Sequence, residues 1–194
     1  MASNIESTVL ASARSNSSSK LSTWMATKKY WYLLSLIIPI LPILSGYYAV
    51  ETDNGIWLWS TVAFFYVGIT LLDKYFGDDD ANPSEEMVEE IKNESYYKQV
   101  LYLTVPMLWL SMIAMAYVVS QYEWSWLSIL GGALSAGIMG AVGVNLGHEL
   151  GHKVNDKGQQ FASKLALAVS GYGHFVIEHN KGHHKDVATP NDPA

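Results

Sequence analysis

The sequence predicts an all-α fold, a polytopic bundle of transmembrane helices with at least four spans. Three observations carry this expectation. First, 49% of the 194 residues are hydrophobic and only 15% are charged, where a soluble domain carries about 25% charged residues. Second, four apolar runs are each long enough to cross a bilayer. Third, the positive charges fall in alternate polar segments. The seven Trp and twelve Tyr add types that are enriched where membrane meets water. The mean hydropathy of +0.11 is modest because it averages apolar spans with polar ends.

The elements follow in order. Residues 1–28 are Ser-rich and mildly basic, and the run Ser15-Asn16-Ser17-Ser18-Ser19-Lys20 has nothing with which to build a core, so a disordered tail is expected. It is not a secretory leader, because the apolar run that follows is too long and lacks a cleavage site. That run, residues 30–50, spans about 30 Å at about 1.5 Å per residue, the thickness of a bilayer core. Pro39 and Pro42 predict a kink in it, which neighbouring helices or Ser35 and Ser45 can repair. Residues 51–55 form a turn, and residues 56–76 the second span. A polar stretch with seven acidic residues between Asp78 and Glu90 reads as a solvated loop with a short helix. Residues 100–120 and 127–147 are the third and fourth spans. The fourth is rich in small residues, with Gly132, Ala136 and Gly140 on one face, a pattern that permits close helix approach or leaves room for a passage. A weaker run at residues 161–177, interrupted by Ser170, Gly171, Gly173 and His174, is expected to be re-entrant or interfacial.

All twelve Lys and Arg lie in or next to the tail, at or after the end of span two, or after span four, and none in the turns after spans one and three. The positive-inside rule then puts the N-terminus, and the ends of spans two and four, in the cytoplasm. The net charge of −6 and the lack of a basic stripe give no footprint for nucleic acid.

Cysteine is absent, so thiolate sites and disulfides are excluded and any metal must be bound through His, Asp or Glu. The six histidines all fall after residue 147. His148 and His152, within His148-Glu149-Leu150-Gly151-His152, continue span four and sit about 40° apart on one helix face. In Glu178-His179-Asn180-Lys181-Gly182-His183-His184, His179 and His183 are a turn apart if the segment is helical, and His184 lies about 100° further round. Five imidazoles thus gather at the cytoplasmic end of the bundle, where clustered ionisable groups mark function. Glu149 and Glu178 are candidates to orient metal-bound imidazoles through the second ring nitrogen, or are solvated helix charges. His174, alone in its Gly-Tyr-Gly-His-Phe stretch, reads as a supporting rather than a ligating histidine. The donor set suits iron, zinc or copper. His148-Glu149-x-x-His152 also fits a membrane zinc metalloprotease with Glu149 as general base. The adjacent pair His183-His184 is surplus to one tetrahedral zinc and favours two metal ions.

These stretches resemble the membrane alkane 1-monooxygenases, within the wider group of integral-membrane desaturases and hydroxylases. The matching residues are Asn145 through Lys153, Gly171 through Phe175, Glu178 through His184 and the tail Asp186 through Ala194, with Leu71-Leu72-Asp73, Gly77-Asp78-Asp79, Asn82-Pro83 and Tyr102 through Met107. The likeness runs from about Lys28 to the last residue. Three residues separate the first two histidines of the second group, which favours alkane hydroxylases over acyl desaturases.

The resemblance implies a non-haem di-iron centre with His148, His152, His179, His183 and His184 among its ligands, and the O2-dependent hydroxylation of terminal C–H bonds of n-alkanes to primary alcohols. It implies electrons from rubredoxin, served by an NADH-dependent rubredoxin reductase, and a place in the bacterial inner membrane with the His groups facing the cytoplasm. Residues 29–194 are then the N-terminal part of the membrane-embedded hydroxylase domain of a six-span protein. The family's third His group and a further His in a Glu-His-Tyr-Gly stretch are missing, so a fragment that is inactive alone is expected. Lys153, Lys157, Lys181 and Lys185 either dock an acidic donor or simply follow the positive-inside bias. Trp59, Phe64 and Phe65 either limit alkane length, with Phe65 and Trp59 the foremost channel candidates, or are ordinary bulk.

Overall fold

The computed structural model describes residues 28–77, 85–92 and 94–192. The tail at residues 1–27 and the acidic residues 78–84 lie outside them, so the disordered tail and the solvated loop stand as expectations. Every regular element among the described residues is helical. Four helices are long and apolar enough to cross a membrane: α1 (Lys29–Glu51), α2 (Gly55–Phe76), α4 (Ser95–Gln121) and α5 (Trp126–Gly151). The short α3 (Glu85–Lys92) precedes α4. Two further helices, α6 (Lys157–Ala168) and α7 (residues 175–186), follow α5. The chain is thus a multi-pass membrane protein.

The large apolar side chains on the outside, Leu44, Leu103, Leu110, Ile113 and Leu134 among them, suit lipid rather than water. Serine and threonine hydroxyls stitch the spans from within. Ser45 donates to the Leu41 carbonyl at 2.8 Å and bonds Ser60, and Ser135 donates to the Leu58 carbonyl at 2.8 Å. Two apolar cores lie along the bundle. One joins Ala49, Leu58, Met115 and Val118 near the short turns. The other joins Val105, Leu108, Met139, Leu146, Leu150, Ala162 and Ala166 near the end of α5, with Phe65 packed against it.

Several small residues of α5 are contact surfaces. A Cβ at Gly131 would meet the Trp59 ring at 2.6 Å, one at Gly143 the Ala166 carbonyl oxygen at 2.7 Å, and one at Gly147 the Leu167 Cγ at 2.5 Å. Close packing, rather than an open passage, occupies these positions, and α6 is the helix that seats against Gly143 and Gly147.

The weak apolar run at residues 161–177 is not one element. Asp156 caps a helix that starts earlier, at Lys157, its carboxylate accepting from Gly158 N at 2.9 Å and Gln159 N at 3.1 Å. That helix ends at Ala168, and the chain turns through Gly171 (φ +72°) before α7. Twelve residues give about 18 Å, too short to cross. α6 instead lies along α5 and α4, tied by Ser163 to the Gly147 carbonyl at 2.6 Å, by the Trp109 indole to the Leu165 carbonyl at 3.0 Å and by Lys98 to Asp156.

Candidate metal centre

The last turn of α5 and the whole of α7 bring five histidines to one place. His148 and His152 share a face of α5, as their spacing dictates, and their Nε2 atoms are 2.9 Å apart. His179 joins them from α7: its ring centroid is 4.2 Å from that of His148 and 5.3 Å from that of His152. One nitrogen from each of these three lies within 4.8 Å of the other two, a grouping able to hold a metal ion.

α7 departs from the regular helix assumed in spacing its histidines. Residues Glu178–His183 form a π turn, in which hydrogen bonds run to the fifth residue rather than the fourth. The extra residue per turn brings His184, not only His183, alongside His179. The Nε2 atoms of His179 and His184 are 2.9 Å apart, while His183 stacks on His179 at 5.5 Å between centroids and 20° between planes. His184 also reaches the first group, 5.0 Å from His152 between ring centroids. The wide turn therefore lets two successive residues both face α5.

Two side-chain amides fix α7 and α6 to the end of α5. Asn180 Nδ2 and Gln160 Nε2 donate to the same acceptor, the Gly151 carbonyl, at 3.1 Å and 2.8 Å. Gly151 is the last residue of α5 and stands between His148 and His152, so the Asn180 amide registers the His group of α7 against that of α5. The Phe175 ring stacks on His179 at 4.9 Å and 13° and walls one side of the cluster.

The electrostatics favour neutral imidazoles. Burial, followed by the proximity of His148 and His184, pushes the ring of His152 down from the usual histidine value, and the same causes in the same order lower His179. A metal needs the unprotonated nitrogen, so a site that resists protonation is prepared for a cation. The C-terminal end of a long helix, with its partial negative charge, faces the same point.

The supporting residues are distributed differently from the sequence expectation. Glu149 is exposed and, among the described residues, hydrogen-bonds no imidazole. Glu178 pairs with His174, at 3.6 Å, and accepts from the Tyr172 hydroxyl at 3.4 Å, so these two candidates engage one another at the rim. The carboxylate that does contact the cluster is Asp192, whose two oxygens lie 3.0 and 3.1 Å from His183 Nδ1. Spacing gave no hint of it, because the contact depends on a reversal of the chain after α7. Phe65 packs against the apolar core that includes Leu146 and Leu150, on the α5 segment that bears the first two histidines. Trp59 is remote: its indole donates to the Leu127 carbonyl at 3.1 Å near Gly131, about 25 Å along α5 from His148 at about 1.5 Å per residue.

Comparison with known proteins agrees with this geometry. The Fatty acid desaturase family profile matches residues 124–194, the part that contains α5, α6 and α7. Over 167 residues, 86% of this chain, the sequence is 47% identical to an alkane 1-monooxygenase of Pseudomonas putida and 47% identical to one of Ectopseudomonas oleovorans. It is 42% identical to alkane 1-monooxygenase 1 of Alcanivorax borkumensis, also over 86% of this chain. Each match covers 41% of the relative, so the chain spans about two fifths of the length of these proteins. Spans, helix-borne histidines and sequence likeness together show that the chain belongs to the membrane alkane 1-monooxygenase family, within the integral-membrane desaturases and hydroxylases.

Proposed function

We propose that the protein carrying these residues is an alkane 1-monooxygenase, in which residues 29–194 are the N-terminal part of the membrane-embedded hydroxylase domain. The reaction is R–CH3 + O2 + 2e⁻ + 2H⁺ → R–CH2OH + H2O, with one oxygen atom inserted into a terminal C–H bond. The observation that carries this reading is the convergence of five imidazoles from α5 and α7 at one end of the bundle. A terminal methyl group offers no acidic proton and no electrophile, so side chains alone cannot attack it. Two iron ions, when bound, supply the O2 activation that the protein cannot.

His148, His152, His179, His183 and His184 are the residues proposed to hold the metal. Five imidazoles exceed what one tetrahedral zinc with an open position can use, and two metal ions would take up the surplus. The zinc metalloprotease alternative is therefore not favoured, and the relatives' names agree. Glu149, its required general base, is exposed and, among the described residues, hydrogen-bonds no imidazole of the cluster.

The chain's own part in the reaction is positioning and access. Phe65 is proposed to limit the depth to which an alkane chain enters from the bilayer. The distribution of Lys and Arg supports an inner-membrane protein with the His groups at the cytoplasmic face, where rubredoxin, reduced by its NADH-dependent reductase, can deliver electrons.

The test uses the full-length protein in membranes, supplied with an electron donor, 18O2 and n-alkanes from hexane to hexadecane. Primary alcohol carrying one 18O atom is expected, with about two irons per chain by elemental analysis. His179→Ala is expected to lose both. Alcohol-free membranes in which the protein is folded and iron-loaded would refute the activity, and a single zinc per chain would return the protease reading.

A further inference from the structure

His183 differs from the other histidines of the cluster. His148 and His152 meet through Nε2, as do His179 and His184. His183 instead has its Nδ1 held by a carboxylate, with both oxygens of Asp192 within 3.1 Å. A carboxylate only accepts, so Nδ1 carries the proton and donates, and the lone pair is left on Nε2. The contact is sheltered: the side chains of His183 and Asp192 are 32% and 13% exposed.

The chain after α7 is shaped to bring this carboxylate back. Thr189 N and Thr189 Oγ1 both donate to the Asp186 carbonyl, at 3.0 and 2.6 Å, and Asp192 N donates to the Thr189 carbonyl at 3.1 Å. Ala188 adopts φ +60°, a left-handed conformation that alanine rarely takes. Its amide donates to Asp192 Oδ2 at 3.2 Å. The tight reversal thus orients the carboxylate as well as delivering it. Neither Glu149 nor Glu178 competes for this place, since one is solvent-exposed and the other is engaged with His174 and Tyr172.

We propose that Asp192 is a positioning residue of the metal centre, which fixes the tautomer and ring orientation of His183 so that Nε2 is presented to the metal. The inference rests on the reading of His183 as a ligand. A carboxylate on the far ring nitrogen also makes an imidazole a stronger donor, and loss of such a partner typically lowers metal affinity or activity 10- to 100-fold.

The experiment compares Asp192→Ala, Asp192→Asn and Asp192→Glu in the full-length iron-loaded protein, with His183→Ala and Thr189→Ala as references. Iron remaining per chain is followed during a timed challenge with a ferrous chelator, and 57Fe Mössbauer spectra are recorded before it. Asp192→Ala is expected to lose iron about 10- to 100-fold faster than the parent and to alter the signal of one iron while sparing the other. Asp192→Asn, whose amide oxygen still accepts from Nδ1 and Ala188 N but carries no charge, falls between, and Asp192→Glu retains iron best of the three. Thr189→Ala, which weakens the reversal but keeps the carboxylate, loses iron faster than the parent and more slowly than Asp192→Ala. Parental iron loss and spectrum in Asp192→Ala, with rapid loss in His183→Ala, would overturn the role of Asp192 alone. Parental retention in His183→Ala would remove the ligand reading and the role of Asp192 together. Where Asp192→Ala does not fold, the isosteric Asp192→Asn decides, and unchanged iron loss there overturns the inference.

Discussion

Gly143 offers a quantitative test of how α6 is seated. A Cβ at this position would stand 2.7 Å from the Ala166 carbonyl oxygen and 3.5 Å from Val169 Cβ. The first neighbour is backbone in the last turn of α6, where it accepts from Val169 N, and it cannot swing aside as a side chain would. Gly143→Ala must therefore push α6 away from α5 by about 0.7 Å to restore an ordinary carbon–oxygen contact, and overpacking of this kind costs about 1–3 kcal/mol. Alanine also favours helix over glycine by about 0.8–1.0 kcal/mol, which would mask part of the loss. Gly137→Ala removes that ambiguity, because nothing lies within 4 Å of its added Cβ while the propensity gain is the same. The difference between the two variants isolates the steric cost. Denaturant unfolding of the full-length protein in mild detergent should put Gly143→Ala about 1–3 kcal/mol below Gly137→Ala. Chelator-induced iron loss should quicken as well, since α6 carries Gln160 to the end of α5. Equal stability of the two variants would refute the packing argument.

Two further outcomes are expected. The depressed titration of His152 and His179 means that the unfolded chain takes up protons before the folded one as pH falls. Their contribution is fully present above the usual histidine value of 6.5 and is lost as pH drops through the lower folded value. The melting temperature of the metal-free full-length protein should therefore be insensitive to these groups between pH 7 and 8 and decline below about 6.5, and a decline that starts above pH 7 would contradict the assignment. Phe65→Ala should shift the product distribution towards longer alkanes, because it empties space against the apolar core that includes Leu146 and Leu150. An unchanged chain-length profile by gas chromatography of the alcohols would remove Phe65 from the substrate path.

The four spans were legible because length and apolarity are direct consequences of bilayer thickness. The expected 30–50 and 56–76 became Lys29–Glu51 and Gly55–Phe76. The third began about a turn earlier than expected, at Ser95, because Tyr96, Tyr97 and Lys98 continue a helix without being apolar enough to extend a hydropathy window. The α5 histidines were legible from regular spacing. The placing of His184 was not, since a π turn differs from an α turn by one residue and no residue type demands it. Asp192 was invisible for another reason. Its contact with His183 arises from a chain reversal through a left-handed alanine, a conformation that composition argues against. The run at residues 161–177 was legible as too weak and too interrupted to span, but the start of its helix was not, because Asp156 caps α6 in polar sequence.

The double use of the Gly151 carbonyl has a mechanical consequence. Membranes differ in thickness by several Å, and spans respond by tilting. Were the two His groups each referred to a different span, every such tilt would alter the distance between them. Here Asn180 of α7 and Gln160 of α6 are both anchored to one oxygen atom at the tip of α5, at 3.1 and 2.8 Å. When α5 leans, both groups travel with it as a rigid head on a flexible shaft, and the spacing within the cluster is insulated from the lipid that surrounds the bundle.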